Sequence, residues 1–532
     1  MTPTGTFGTI IRLKVAIITS GLRGESKRAF GTVVALLMAL TGGILGFRSF
    51  YSSSAQSGGG SGRGLVIGFT TLFFAWVFGP LMLGGVDDSL DPRTLSLLPL
   101  SRRDLRTGLL GATLVGFLPA ATILALCGVV AGYASPDVSA IVIVTALIVL
   151  VLLSLGASRL LSVGLARAVR SRKGRDLAIV IASLTGASLW LGVQTVRRLG
   201  GEQLDRAVGV LRWTPAGALG QAVLDARTGA VLRPALRIGA AAVVAVLFLW
   251  AWMVGLERLL LHPESLRSVL GVRREGARVL GRLGDRSATL VLAKELRYVA
   301  RSPQRRSALL VGTIVGTVFA LFQVVKTRHP GAEVVLGAPI GILFGIGVTN
   351  NLLGAEGPAL WIELMSGATV RRLLIGRGLA AVPNLVLPQI VPAIVLGVLS
   401  HGWTNLWMIT ALAFGTWGLP LGVGTVISVI APFPQPETSN PFSNRRVAPG
   451  EGCLIGVVAF IGLGALAVVA APVVIGVLTQ RSGDTAHRLL AVAGATVWSL
   501  LVWQVGLAIA ERCTRGRENE LMETLGAHQV NT

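Results

Sequence analysis

The stretch Val138–Ala157 reads VSAIVIVTALIVLVLLSLGA, twenty residues without a charged side chain. A helix needs about 20 largely apolar residues to cross roughly 30 Å of hydrocarbon, and this stretch supplies them. Outward from it, the same ruler finds twelve runs: Phe30–Phe47, Leu65–Leu83, Thr107–Tyr133, Val138–Ala157, Leu177–Val196, Gly239–Leu256, Ser307–Val325, Val334–Leu353, Gly378–Ser400, Thr404–Ile430, Leu454–Leu478 and Leu489–Ala510. Asn350 and Asn351 interrupt the eighth, and Pro383, Pro388 and Pro392 fall in the ninth, where neighbouring helices can satisfy the freed carbonyls. Composition agrees: 52% of the 532 residues are hydrophobic and only 14% charged, against about 25% charged in soluble domains. The fold class is therefore an all-α polytopic membrane protein. The first run is too long and too glycine-rich for a removable signal segment and is expected to remain in the mature chain.

The net charge of +23 must then be placed outside the hydrocarbon. With both termini cytoplasmic, 35 of the 48 basic residues fall on the inner side, as the positive-inside rule requires. This predicts a multi-pass protein of the cytoplasmic membrane. Seven of the outer basic residues share one segment: Arg197, Arg198, Arg206, Arg212, Arg227, Arg233 and Arg237. It can be translocated if it folds as short amphipathic helices at the outer interface. A nucleic-acid partner is excluded, because a basic face of that kind needs a soluble scaffold and almost none is left over.

The long basic loop Glu257–Arg306 divides the runs six and six, which suggests an internal repeat. The expected domains are a first half, 1–256, a cytoplasmic linker, 257–306, a second half, 307–510, and a cytoplasmic tail, 511–532. Before the first run, Ile11, Val15, Ile18 and Leu22 share one helical face and Arg12, Thr19 and Arg23 the other, giving an amphipathic helix over about 9–24. Before the seventh run, Leu292, Leu296 and Val299 oppose Lys294, Arg297 and Arg301 in the same way. Both read as interfacial helices with the basic face toward lipid phosphates. Each half also carries a similar loop after its second run. The first reads Asp91, Pro92, then Leu95 and Leu98, then Arg102; the second reads Glu356, Pro358, then Trp361 and Leu364, then Arg371. These apolar residues are too few to cross anything. They suffice to fill a groove on a partner protein or to rest on the membrane surface.

Several chemistries are missing. No lysine follows a glycine, so a Walker A loop is impossible. His262, His329, His401, His487 and His528 lack metal-ligand spacing, and Cys127, Cys453 and Cys513 form no motif. No charged residue lies within the twelve runs, where a proton- or sodium-driven carrier would keep one. The strongly polar groups there are amides, among them Asn350, Asn351, Asn384 and Gln389, which can bond helices together or line a lightly polar pathway.

The basic-ended helices Arg12 to Arg28 and Lys294 to Arg306, the loop Leu90-Asp91-Pro92-Arg93 to Leu98-Pro99-Leu100, and Trp213-Thr214-Pro215-Ala216-Gly217 before the sixth run resemble the type-2 (ABC-2) permease subunits of ATP-binding-cassette exporters. The resemblance is to the actinobacterial form, in which two six-span halves are fused. It implies an efflux permease for a hydrophobic or amphipathic substrate, with no cofactor and no enzymatic activity of its own. It further implies a separate ATPase subunit, in two copies, that hydrolyses ATP and docks from the cytoplasm. By the same resemblance, Arg12–Arg23 with Asp91–Arg103, and Lys294–Arg301 with Glu356–Arg372, would be the coupling elements. The alternatives are a twelve-span secondary transporter and a membrane enzyme acting on lipid-linked substrates.

Overall fold

Apolar runs become helices here because a backbone in hydrocarbon must satisfy its own hydrogen bonds. The structure, a computed structural model, describes residues 3–23, 26–56, 62–82, 101–134, 138–168, 174, 176–177, 179–181, 183–188, 201–228, 231–261, 287–301, 303–327, 342–400, 406–433, 451–479 and 485–517. All regular structure among them is helical. The first helices are α1 (Pro3–Arg23), α2 (Ser26–Gln56), α3 (Arg63–Met82), α4 (Arg102–Thr113), α5 (Phe117–Tyr133), α6 (Val138–Ala168), α7 (Gly201–Leu211), α8 (Pro215–Ala226) and α9 (Leu232–Leu261). After them come α10 (Ser287–Arg301), α11 (Pro303–Thr327), α12 (Ile342–Thr349), a 3-10 turn over Gly354–Ala359, α13 (Leu360–Met365), α14 (Val370–Ser400), α15 (Leu406–Gly415), α16 (Gly418–Ile430), α17 (Glu451–Thr479) and α18 (Thr485–Thr514).

Among the described residues eight helical stretches are long and apolar enough to cross a membrane: Ala29–Ser54, Ala140–Leu165, Leu232–Arg258, Arg305–Phe322, Val370–Val398, Thr410–Ile430, Gly456–Gly476 and Ala486–Thr514. The pair α4 and α5 makes a ninth if its two arms are one span. Leu37, Met38, Ile44 and Leu45 of α2 and Phe460 and Val468 of α17 are exposed. So much apolar surface facing outward is the exterior of a membrane-embedded protein.

Several runs differ from their sequence reading. The third, expected as one span, is two helices that meet at 61°. Pro119 in the first turn of α5 has no N–H for the Val115 carbonyl, which removes one helical bond across the bend. Of the eighth run, 334–341 lies outside the described residues, and its helix stops at Thr349. There Asn351 turns its amide to the backbone of Phe433, the kind of bond that competes with helix. The ninth begins at Val370, eight residues earlier than expected, and keeps Pro383, Pro388 and Pro392 inside one helix. The tenth breaks between α15 and α16. Of the second and fifth runs the structure describes the apolar helices Arg63–Gly79 and Ile179–Ser188, and 83 and 189–196 lie outside the described residues.

Two compact units divide the chain. The first comprises Met1–Arg170, Gly192–Ser265 and Phe442–Leu454. Its core joins Phe50, Leu65, Phe69, Val129, Leu150 and Leu219. The small-residue helix α8, capped by the Thr214 hydroxyl on Gly217 N–H with Pro215 in its first turn, is buried in that core. Two arginines near it are paired, Arg237 with Asp225 at 2.5 Å and Arg206 with Glu202 at 3.7 Å, and Arg227 lies over the Tyr133 ring. The second unit comprises Ser171–Leu191, Leu266–Pro441 and Ile455–Thr532. Its core is built on Leu353, Leu373, Leu374, Leu385, Leu421 and Trp503.

The helices that open each half form where expected, and the side each packs against its own unit is offset by one residue from the apolar face read in the sequence, part of which stays exposed. Helix α1 buries Ile10 and Lys14 and exposes Val15 and Leu22; α10 buries Val291 and Glu295 and exposes Leu296. Each is seated on a glycine near the start of the third-run or ninth-run helix. A Cβ on Gly108 of α4 would lie 2.2 Å from Ile10 Cδ1, and one on Gly376 of α14 would lie 2.7 Å from the Ala288 carbonyl oxygen and 2.8 Å from Val291 Cβ.

Gly376→Ala therefore forces α10 off α14 and is expected to cost about 1–3 kcal/mol. Gly464→Ala in α17 meets nothing within 4 Å and gains up to about 1 kcal/mol from helix propensity. Thermal midpoints of the detergent-solubilised variants check this ranking, and the reverse order would show that α10 is not seated through Gly376.

Candidate functional site

The second unit holds a cluster of three cations and three anions, drawn from five segments. Lys294 and Glu295 are adjacent on α10, Arg305 opens α11, Glu356 lies in the 3-10 turn, Glu363 is on α13, and Arg377 lies two turns into α14. Lys294 Nζ reaches Glu356 at 3.1 Å and also pairs with Glu363. Arg305 pairs with Glu295 and, at 3.1 Å, with Glu356, and donates to the Ala355 carbonyl at 3.3 Å. Arg377 donates to Glu363 at 2.5 Å and to the Leu352 carbonyl at 3.2 Å, and its Nε stands 3.5 Å from Glu295 Oε1. That last contact is ionic only, since both atoms lack a hydrogen bond. The Tyr298 ring lies 5.3 Å from Lys294 Nζ and 4.9 Å from the Arg305 guanidinium carbon, adding a cation–π contact to each.

Burial decides what this cluster does. The Arg377 side chain is 3% exposed and that of Lys294 is 31% exposed, so the charges run from the core to the surface of the unit. Burial pushes the Glu295 carboxyl above the ordinary glutamate value, against the opposing pull of Arg305 and Arg377. Burial would do the same to Glu356, but Lys294, Arg377 and Arg305 outweigh it and hold that carboxyl below 4.5. Lys294, which burial alone would lower, is held above its ordinary value by the hydrogen bond to Glu363 and by the charges of Glu356 and Glu363. Glu356 is thus the anion the cluster depends on most.

The arrangement fixes the orientation of α13. Glu363 is drawn inward by Arg377 and Lys294, and Leu364 packs on the core. Trp361, Ile362 and Met365 are left facing outward, Trp361 with 54% of its surface exposed. The 3-10 turn before it bends at Gly357, where φ is 53°, a left-handed conformation that favours glycine.

Of the residues singled out from the sequence, Lys294, Glu356, Trp361 and Leu364 are brought together here. Arg371 stands nearby on α14 and meets Glu511 at 3.5 Å. Lys294 faces carboxylates rather than lipid phosphates, because the buried Glu356 and Glu363 offer it a stronger, less screened partner. Arg297 is half-buried on α10, and Arg12 is exposed on α1. Arg23, Arg102 and Arg301 lie in helices, but their side chains fall outside the described residues, as do Asp91, Pro92, Leu95 and Leu98 altogether. Glu295, Arg305, Glu363 and Arg377 were not singled out as site residues. The available signal was a Lys-Glu pair on a helix face that also carries Val291, and an arginine one residue before an apolar run.

The four amides separate into two kinds. Asn351 clamps Phe433, donating to its carbonyl at 2.8 Å and accepting from its N–H at 3.2 Å, and Gln389 donates to the Leu385 carbonyl at 2.8 Å. Asn350, through both amide atoms, and Asn384, through Oδ1, are buried without a hydrogen-bond partner. Among the described residues no group of histidine, cysteine and carboxylate side chains could hold a metal ion. No family model matches the chain, and no curated protein matches it at significant similarity.

Two glutamate substitutions test the electrostatic assignment. Glu356→Gln removes one of the two carboxylate partners of both Lys294 and Arg305 and is expected to cost about 3 kcal/mol. Glu295→Gln, which removes a charge already disfavoured by burial, is expected to cost about 1 kcal/mol or less. With its folded-state pKa held below the ordinary glutamate value, Glu356 contributes its full stabilisation above the ordinary glutamate range and loses it as the pH falls through and below that range. Thermal melts of both variants at pH 7, and of wild type and Glu356→Gln from pH 6 to pH 3.5, check the order and the window.

Proposed function

We propose that the chain is the membrane-spanning permease subunit of an ATP-binding-cassette exporter of the ABC-2 type. It moves a hydrophobic or amphipathic molecule across the cytoplasmic membrane and is driven by a separate ATPase bound in two copies. In this reading both termini are cytoplasmic and the spans number twelve, in two six-span pseudo-repeats. The count is supported by the nine candidate spans together with the shorter apolar helices Arg63–Gly79 and Ile179–Ser188 and the half-described run ending in α12. The repeat is supported by the recurrence of one local contact, Ile10 on Gly108 and Val291 on Gly376, in helices that open each half.

The observation that carries the functional reading is α13. A six-residue helix with one side tied inward by Arg377 and Lys294 and the other presenting Trp361, Ile362 and Met365 is built to be gripped from outside. Exposed aromatic and methionine side chains at the rim of a charged cluster are the residue types that anchor protein interfaces. The chain itself supplies no Walker A loop, so the energy for transport comes from the partner that grips this helix. One observation favours a second reading, a proton-driven carrier: Glu295 is a buried carboxyl whose affinity for protons is raised. Its pairing with Arg305 weighs against that role.

Trp361→Asp is expected to leave the protein folded and membrane-inserted while abolishing its co-purification with a protein that carries Walker A and signature motifs. Affinity purification of the tagged chain from its native cell, with mass spectrometry of the bound proteins, checks this. Wild type that brings down no such ATPase defeats the reading, and a variant that still does defeats the role of α13.

A further inference from the structure

Among the described residues of the second unit, Asn350 is a buried polar side chain with neither amide atom satisfied. It is 3% exposed, and neither its amide nitrogen nor its amide oxygen has a hydrogen-bond partner. A buried amide without partners is costly, by the same argument that makes unpaired buried polar groups rare in native proteins. It stands where α12 stops, and neighbouring polar groups of that break find partners elsewhere: the Leu352 carbonyl in Arg377, the Leu353 N–H in Ser428, and the Asn351 amide in Phe433. The break therefore does not need Asn350, and leucine would cost nothing there.

What covers Asn350 is α17. A Cβ on Gly462 of that helix would lie 2.9 Å from Asn350 Nδ2 and 2.7 Å from Ile427 Cδ1 of α16, so the glycine lets α17 close directly over the amide. Yet α17 is weakly seated. Only 6% of its apolar window is buried, against 61% for the window that contains α16. Pro472 removes the hydrogen bond to the Val468 carbonyl from the middle of the helix, and the Trp498 indole donates to the adjacent Val469 carbonyl at 2.9 Å. The amide thus lies beneath a helix that is apolar, lipid-facing and loosely held.

We propose that Asn350 is a binding contact for a neutral amphiphile that enters from the lipid by displacing α17. The amide supplies one donor side and one acceptor side in an apolar, closely covered place, which suits an uncharged hydroxyl, ester or amide group on a hydrocarbon body. An ion would find no opposite charge left over, because the nearby Arg377 is committed to Glu363 and Leu352. This deepens the exporter reading by naming a substrate class and an entrance, and it rests on that reading for the direction of transport only.

The test uses the purified full-length permease in liposomes, without any ATPase, so that its failure is separable from failure of the exporter reading. The probe is a photoactivatable diacylglycerol with a diazirine on one acyl chain. Adducts are expected on peptides spanning 346–353 and 458–466. Their yield is expected to fall about fivefold in Asn350→Leu, the worth of one ordinary hydrogen bond. A disulfide between Ile427→Cys and Gly462→Cys in a background without other cysteines should abolish them, and reduction should restore them. Asn350→Leu should melt no lower than wild type, because it removes only unpaired polar atoms. Adducts absent from these peptides, or indifferent to both the substitution and the disulfide, overturn the proposal. A marked loss of stability in Asn350→Leu also overturns it, because the amide would then be structural.

Discussion

The second unit depends on one guanidinium. Helix α12 ends at Thr349, in the middle of an apolar run, and leaves carbonyls with no intrahelical partner. In a low-dielectric surrounding each such group is expensive, and the negative end of a helix attracts a cation. In the turn that follows, Arg377 meets one such group by donating to the Leu352 carbonyl. A buried arginine must itself be neutralised, and Glu363 and Glu295 do this. Those carboxylates then require Lys294 and Arg305, which in turn require Glu356. A single interrupted helix thus accounts for all six charges and for the fixed attitude of α13.

The sequence made the helices legible, and for a plain reason: hydrocarbon leaves a chain few choices, so uninterrupted apolar runs become helices regardless of local propensity. What it hid were the places where polar groups bargain with one another. The span reading started at Gly378 because Arg377 is charged, although the helix begins at Val370 and buries that arginine. On α10 the sequence reading placed Glu295 on neither face, whereas the structure buries it against Arg305. The bend near Pro119 and the stop at Asn350 were visible as residues, but their consequences depended on partners such as Phe433 that are far away in sequence. The loop around Asp91–Leu98, which the sequence ranked equal to Glu356–Leu364, lies outside the described residues.

The amides show the same limit at finer scale. Asn350, Asn351, Asn384 and Gln389 are indistinguishable in a sequence, four polar side chains in apolar runs. In the structure, Asn351 and Gln389 are consumed by backbone groups and Asn350 is not. Only the unpaired ones remain available to a ligand, because a side chain already bonded must break that bond before it can make another.

The two units share a contact but not its chemistry. When Gly108 is set against Gly376 and Ile10 against Val291, Lys14 falls at the position of Glu295 and Leu109 at that of Arg377. Lys14 and Glu295 are both buried, on helices that each lean on a glycine. The charge at the buried position is therefore reversed between halves, and the arginine that organises the second is replaced in the first by an aliphatic side chain. A cation at the position of Lys14 could not accept from an arginine at the position of Leu109, so the two changes belong together. The geometry of the seat is set by the glycine and the aliphatic residue opposite it, while the electrostatic network built on Arg377 is an addition found in the second unit.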